Sequence, residues 1–394
     1  MFKKLLNIPA YLNLKEVGVL ELTFALTPML SGFSLGSIPL SALMWVILIM
    51  ITVSRKGVGK IRNFKPLTIF VVYWLLHTLA IMAVDQYNLN GLIVQVIYFA
   101  AVYLLYPILN PQKLRGSMNW VALIAIGGLL YQWTIVAVGG GVHPLEIPGL
   151  EMSVNRLDTL TIRPSSFFME PQAYVSFMIC PLALALMNKK YVWSLIIILS
   201  IFLTTSTTGI ILSFIILVAS LFSHKVKART IGLVSMFGVM MAYSLVTFDA
   251  FSAGVEKIEN TEASTNVRLS QGPRVVSSMK SEEFFLGVPY SSAYNYCRSG
   301  RFSDVIWYGE SVYMSTFWNI ILLYGIVGLS LYLNIYYKLY IKNRLIWPIL
   351  ICTCATMFSD PDFTGLQYVY RLIFMLVLAT RSYMLVNEKK LHVR

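Results

Sequence analysis

The chain has 394 residues, of which 57% are hydrophobic and only 12% charged, and its mean hydropathy is +0.70. Soluble globular domains carry about 25% charged residues, so that class is excluded. The formal net charge of +13 does not imply a nucleic-acid partner, because most Lys and Arg fall in short hydrophilic connections between apolar runs. That distribution is the usual orientation signal of an inner-membrane protein.

The apolar runs are continuous rather than alternating, so helices, not the strands of an outer-membrane barrel, are expected to span the bilayer. The N-terminal "MFKKLLNIPAYLNLK" has a basic start but no small-residue cleavage site, and reads as a retained cytoplasmic tail or interfacial helix. The expected fold is an all-α polytopic membrane protein with about 12 transmembrane helices and a long, partly helical periplasmic loop. The helices are expected near 16–33, 37–53, 66–84, 91–109, 119–138, 172–188, 191–205, 208–223, 230–248, 313–333, 345–358 and 364–386. The two short runs flanking "LTTSTTG" (203–209) are kept apart. Merging them would carry the basic stretches "SHKVKAR" and "YYKLYIKNR" to the outside.

This threading divides the chain into membrane helices 1–5 (1–138), a first large periplasmic loop (139–171) and helices 6–9 (172–248). A second large periplasmic loop (249–312) follows, then helices 10–12 with a cytoplasmic tail (313–394). Nearly all Asp and Glu fall on the outer side, the exceptions being Glu16, Glu21 and Glu388. No cytoplasmic segment is large enough to hold a nucleotide, and no phosphate-cradling glycine loop is present. Of the four cysteines, Cys180, Cys352 and Cys354 lie in apolar runs and Cys297 is alone in the long loop. That pattern gives neither a disulfide framework nor a metal site. Within the long loop, "TEASTNVRLSQGPRVVSSMKSEEFF" reads as one or two amphipathic helices broken near Gly272 and Pro273.

The candidate chemistry is basic and lies on the outer side. Arg156, Arg163, Arg268, Arg274, Arg298 and Arg301 occupy the two large loops. A guanidinium offers a planar donor fork that matches phosphate oxygens in pairs, which suits a lipid-linked pyrophosphate; a loop arginine also commonly just faces water. Arg371 interrupts the apolar run "LQYVYRLIFMLVLA". Inside a spanning helix an arginine costs about 2.5–3.5 kcal/mol and usually faces a cavity or a partner, unless it snorkels to the interface. Asp360 and Asp362 are the nearby acids that could pair with it. Glu170, before Pro171, is either a first-turn acid favoured by the helix dipole or a carboxylate that orients Arg163 or accepts a proton, and Glu310 stands similarly before the tenth helix. The stretch 288–313, ending at Tyr313, is rich in Tyr and Trp that either stack on sugar rings or form an interfacial belt.

Several strings together resemble the O-antigen polymerase (Wzy-type) family, within the O-antigen ligase/polymerase superfamily. They are R-P-x-x-x-F-x-E-P (Arg163 to Pro171), the "LTTSTTG" turn, "STNVR" ending at Arg268, "FFLGV" and the G-x-x-G of "LYGIVG". The resemblance covers about residues 119–333. It implies lipopolysaccharide or other polysaccharide biosynthesis at the periplasmic face, by a glycosyltransferase that needs no cofactor or metal. The growing glycan would move from undecaprenyl pyrophosphate to the non-reducing end of a new undecaprenyl-pyrophosphate-linked repeat unit. It further implies membrane lipid, a flippase and a chain-length regulator as partners. In this scheme Arg163, Glu170, Arg268 and Glu310 are catalytic, and Arg274, Arg298, Arg371 and Tyr313 bind substrate. Ligases of the superfamily carry a histidine late in the large loop. None of His77, His143, His224 and His392 lies in 249–312, where "GES" stands instead, which favours polymerase. The first outer loop, "SGFSLGS", lacks the acids of dolichyl-phosphate-type glycosyltransferases. A ligase and a non-enzymatic lipid-linked oligosaccharide flippase or transporter remain the alternatives.

Overall fold

The computed structural model describes residues 14–36, 38–56, 64–82, 89–142, 145–152, 163–223, 238, 267–288, 307–308, 311–312, 314–358 and 366–380. It is mostly helical, at 77%. The helices are α1 (Val19–Leu26), α2 (Leu40–Lys56), α3 (Lys65–Met82), α4 (Leu89–Leu105), α5 (Pro111–Ala137), α6 (Pro171–Met187) and α7 (Tyr191–Leu203). They continue with α8 (Thr207–Ser223), α9 (Val267–Ser277), α10 (Ser281–Leu286), α11 (Thr316–Lys342), α12 (Trp347–Thr356) and α13 (Leu366–Thr380). Among the described residues α5 and α11, at 27 residues each, are long and apolar enough to cross a membrane; several shorter helices are also apolar. The expected helix at 230–248 lies outside the described residues.

Three helix limits depart from the sequence expectation, each for a local reason. Helix α5 begins at Pro111, well before 119, because the Asn110 side chain accepts from the amides of Gln112 and Lys113 while Pro111 presets the first helical φ. Its polar first turns are further tied down by the Arg115–Glu16 ion pair at 2.7 Å. Helix α11 continues to Lys342 instead of ending near 333, since "YYKLYIK" keeps helical propensity after the apolar run ends. Helix α1, by contrast, spans only eight residues and gives way to turns at Thr27, next to Pro28, which has no N–H to continue the ladder. At about 12 Å it is too short to span a bilayer alone.

A single apolar core runs through the helices, with Trp45, Trp74, Tyr106, Tyr174 and Phe177 fully buried in it. Apolar residues also line the outside: Met50, Ile69, Leu76, Leu199 and Ile211 are all exposed. Rows of exposed apolar side chains on apolar helices fit a hydrocarbon surround better than water.

Contacts between helix ends fall into two groups. At the start of α5 and the end of α11, Asn110 donates its backbone N–H to Glu21 at 2.8 Å and Lys342 sits over the Phe64 ring. There too, Asn343 Nδ2 donates to the Leu378 carbonyl. At the opposite ends of these two helices, Trp133 Nε1 donates to the Leu203 carbonyl and the Phe317 amide to the Met357 carbonyl. Short strands add to this second group. β1 (Phe33–Leu35) pairs antiparallel with both β2 (Ile38–Pro39) and β3 (Glu151–Met152), joining the first connection to the 139–171 segment. β4 (Trp307–Tyr308) and β5 (Ser311–Val312) form a separate hairpin.

Candidate functional site

The R-P-x-x-x-F-x-E-P string folds into a tight turn on the end of α5. Gln132, buried within that apolar helix, accepts two backbone amides through Oε1: Ser165 at 3.1 Å and Ser166 at 2.8 Å. The Ser165 hydroxyl closes the turn onto the Phe168 carbonyl at 2.8 Å. Ser166 adopts a left-handed φ of 57° and is completely buried against Gly128, where a Cβ would stand 2.5 Å from its hydroxyl oxygen. A side chain at 128 would force the Ser166, Leu145 and Phe167 side chains to shift, so the glycine lets the turn dock closely. Phe168 then packs on Tyr174 and Phe177 of α6, fixing the direction in which the string enters that helix.

The next residue of α5 holds the second sequence feature. Trp133 donates to the Leu203 carbonyl at 2.9 Å, pinning the start of the "LTTSTTG" turn. Thr205 in that turn has φ 54°, and the Ser206 hydroxyl caps α8 by accepting from the Gly209 amide. Arg163 closes the triangle: its Nη1 donates to the Thr205 carbonyl at 3.4 Å. Two strings about forty residues apart therefore meet because adjacent side chains of α5 each hold one of them. The sequence signal for Gln132 is a lone glutamine inside an apolar run, "LLYQWTIVA".

Glu170 is the N-cap residue of α6, with extended backbone angles and no side-chain capping bond. It is half-buried, and among the described residues no ion pair joins it to Arg163.

Arg371 is completely buried in α13, so it does not reach an aqueous interface by snorkelling. Its Nη1 donates to Thr356 Oγ1 at 2.6 Å, and its guanidinium lies 4.7 Å from the centre of the Tyr368 ring. These are not the partners described for Arg163.

The remaining candidates are placed less fully. Arg274 is exposed near the end of α9, and no described contact joins it to Arg163 or Arg371. Arg268 lies in the first turn of α9, with its side chain outside the described residues. Arg298, Glu310 and Tyr313 lie outside them, as do Arg156, Arg301, Asp360 and Asp362. Among the described residues no cluster of His, Cys, Asp and Glu could hold a metal ion.

Two further strings meet elsewhere. "FFLGV" (284–288) packs against "LYGIVG" (323–328) in α11, through Val288 N donating to the Leu322 carbonyl at 2.6 Å. His77 of α3 joins them, its Nε2 lying 2.8 Å from the Leu286 carbonyl. No histidine lies within the 249–312 loop, yet an imidazole from another helix reaches that loop's backbone. No family model matches the chain, and no curated protein matches it in sequence.

Proposed function

We propose that the protein is a multi-pass membrane glycosyltransferase that polymerises lipid-linked polysaccharide repeat units at the outer face of the bacterial inner membrane. In this reaction the bond between the donor sugar's anomeric carbon and the lipid pyrophosphate breaks, and the pyrophosphate leaves with the electron pair. The acceptor hydroxyl oxygen of the new repeat unit forms the new bond to that carbon, and its proton passes to a carboxylate. Arg163 stabilises the developing charge on the leaving pyrophosphate, as fixed donors aimed at a growing charge do. Glu170 is the candidate proton acceptor among the described residues, with Glu310 the alternative.

The observation that carries this reading is the convergence on α5 of the R-P-x-x-x-F-x-E-P turn and the "LTTSTTG" turn, with Arg163 bridging them. A guanidinium and a carboxylate stand seven positions apart in the chain at the entrance to α6. The two-sided sorting of helix-end contacts supports a bilayer-crossing arrangement in which both turns share one face with the β1–β3 pairing. Twelve spans and the periplasmic orientation of the loops belong to the same proposal.

The test is reconstitution of the purified protein with undecaprenyl-pyrophosphate-linked repeat units and no nucleotide. A ladder of lengthened, lipid-linked glycan is expected. Transfer to a lipid A core acceptor alone would point to a ligase, and movement of the substrate across the bilayer without lengthening would point to a flippase.

A further inference from the structure

Helix α11 is not continuous. Gly325 has φ 66° and ψ −176°, a conformation reserved for glycine, in the middle of an otherwise regular apolar helix. In an unbroken helix the Leu322 carbonyl would accept from the amide four residues on. Here it accepts from Val288, at 2.6 Å. The neighbouring Tyr324 carbonyl accepts from the Tyr73 hydroxyl at 2.8 Å. On the other side of the contact, the Leu286 carbonyl meets His77 Nε2 at 2.8 Å and the Tyr73 hydroxyl at 3.4 Å. Gly287 is the counterpart of Gly325, with φ 88°. A Cβ on either would run into the other segment's backbone, 2.4 Å from the Leu323 carbonyl oxygen and 2.1 Å from that of Phe285.

Two helices independently fix the depth of this contact. Gly325 lies four residues before the midpoint of Thr316–Lys342, about 6 Å from the centre of the helix. Helices α3 and α11 run antiparallel, since Phe70 meets Tyr332, Tyr73 approaches Gly328 and His77 meets Tyr324. His77 lies past the midpoint of Lys65–Met82 by about 5 Å, on the same side of centre. A hydrocarbon core is about 30 Å thick, so a bilayer centred on these helices puts residues 285–288 well inside it. Backbone that is not helical survives at such depth only when protein buries it and supplies its bonds. The Tyr73, His77 and Leu322 contacts meet that demand.

The outward surface of the segment matches this depth. Phe285 and Leu286 are each 56% exposed, whereas Val288 is buried. Beside them α3 presents its own exposed apolar row, Ile69, Val72, Leu76 and Leu79. The polar end of α10 turns the other way along the chain: Lys280 and Glu282 are exposed, and Glu283 caps the helix by accepting the Lys280 amide at 2.7 Å.

We infer that residues 281–288, which the hydropathy pattern assigns to an aqueous loop, form a re-entrant segment whose Phe285 and Leu286 side chains contact the acyl chains of the outer-leaflet lipids. This inference rests on the membrane-spanning reading of α3 and α11, and needs no assumption about catalysis. It gives the large loop a lipid-facing anchor beside the broken helix.

The test uses full-length protein in proteoliposomes. An environment-sensitive fluorophore is attached at Phe285→Cys, Leu286→Cys, Glu282→Cys or Leu76→Cys, each with Cys297→Ser. Labels at 285 and 286 are expected to be quenched by phospholipids brominated at mid-chain, as at Leu76, and several-fold less by aqueous iodide than the label at 282. Iodide access at 285 and 286 equal to that at 282, with Leu76 still in lipid, overturns the re-entrant segment alone. Iodide access at Leu76 as well overturns the bilayer reading and the inference with it. If Phe285→Cys does not fold, Leu286→Cys decides the matter, because only its backbone carbonyl takes part in the described bonding.

Discussion

Helices α5 and α11 have the same length and the same hydropathy, yet they are built on opposite plans. The first is regular from a capped start at Asn110 and Pro111 to its end, and it holds other segments through side chains, Gln132 and Trp133. The second is interrupted at Gly325 and holds its neighbour through its own backbone. The difference shows that apolar length predicts a span but not its continuity. A break is tolerated where a second segment supplies the missing donor and a glycine on each side removes the obstructing carbon.

That contrast can be broken most sharply at the break itself. Gly325→Val is expected to abolish the folded protein, since the backbone conformation alone costs a side chain about 1–3 kcal/mol and the added atoms would overlap the fixed Phe285 carbonyl. The check is the monodisperse fraction in mild detergent, and a normal yield with unchanged melting would contradict the interlock.

Gln132→Leu comes next. Removing Oε1 leaves the buried Ser165 and Ser166 amides without their acceptor, at about 1–3 kcal/mol each, and frees the turn that presents Arg163. Chain growth should fall further than thermal stability, because the helix keeps its apolar packing while the turn loses its position.

Asn110→Ala should destabilise by about 1 kcal/mol through loss of the cap, seen as a small fall in melting temperature with activity retained. Smallest is Gly127→Ala in α5, where a Cβ meets open space. It should be neutral or stabilise by about 0.5–1 kcal/mol, the opposite sign to Gly325 in a helix of the same length.

Much of the framework was legible because apolar runs and basic connections report it directly. The expected helix at 172–188 matches Pro171–Met187, where a proline at the first helical position marks the start. Helix α1 was misjudged because hydropathy does not register that Pro28 ends a ladder. The site was legible in part. "RPSSFFMEP" and "LTTSTTG" stood out as strings, but their meeting depends on Gln132 and Trp133, whose inward direction is set by packing that no local pattern carries. Arg371 stood out by charge alone, whereas its burial against Thr356 and Tyr368 is a property of α12 and α13 together. The re-entrant segment was the least legible. "FFLGV" and "LYGIVG" stood out as separate strings, and only the mutual contact of Gly287 and Gly325 shows that they interlock.

On the proposed mechanism Arg163 grips a leaving pyrophosphate instead of merely bolting the Thr205 turn. This role is tested most directly by comparing wild type, Arg163→Lys and Arg163→Ala for glycan lengthening in the nucleotide-free reconstituted assay, with melting temperature measured on the same preparations. Both variants should fold as the wild type does, Arg163→Ala should make no polymer, and Arg163→Lys should be severely impaired because a point charge lacks the two-pronged donor. Wild-type ladders from folded Arg163→Ala would contradict that role.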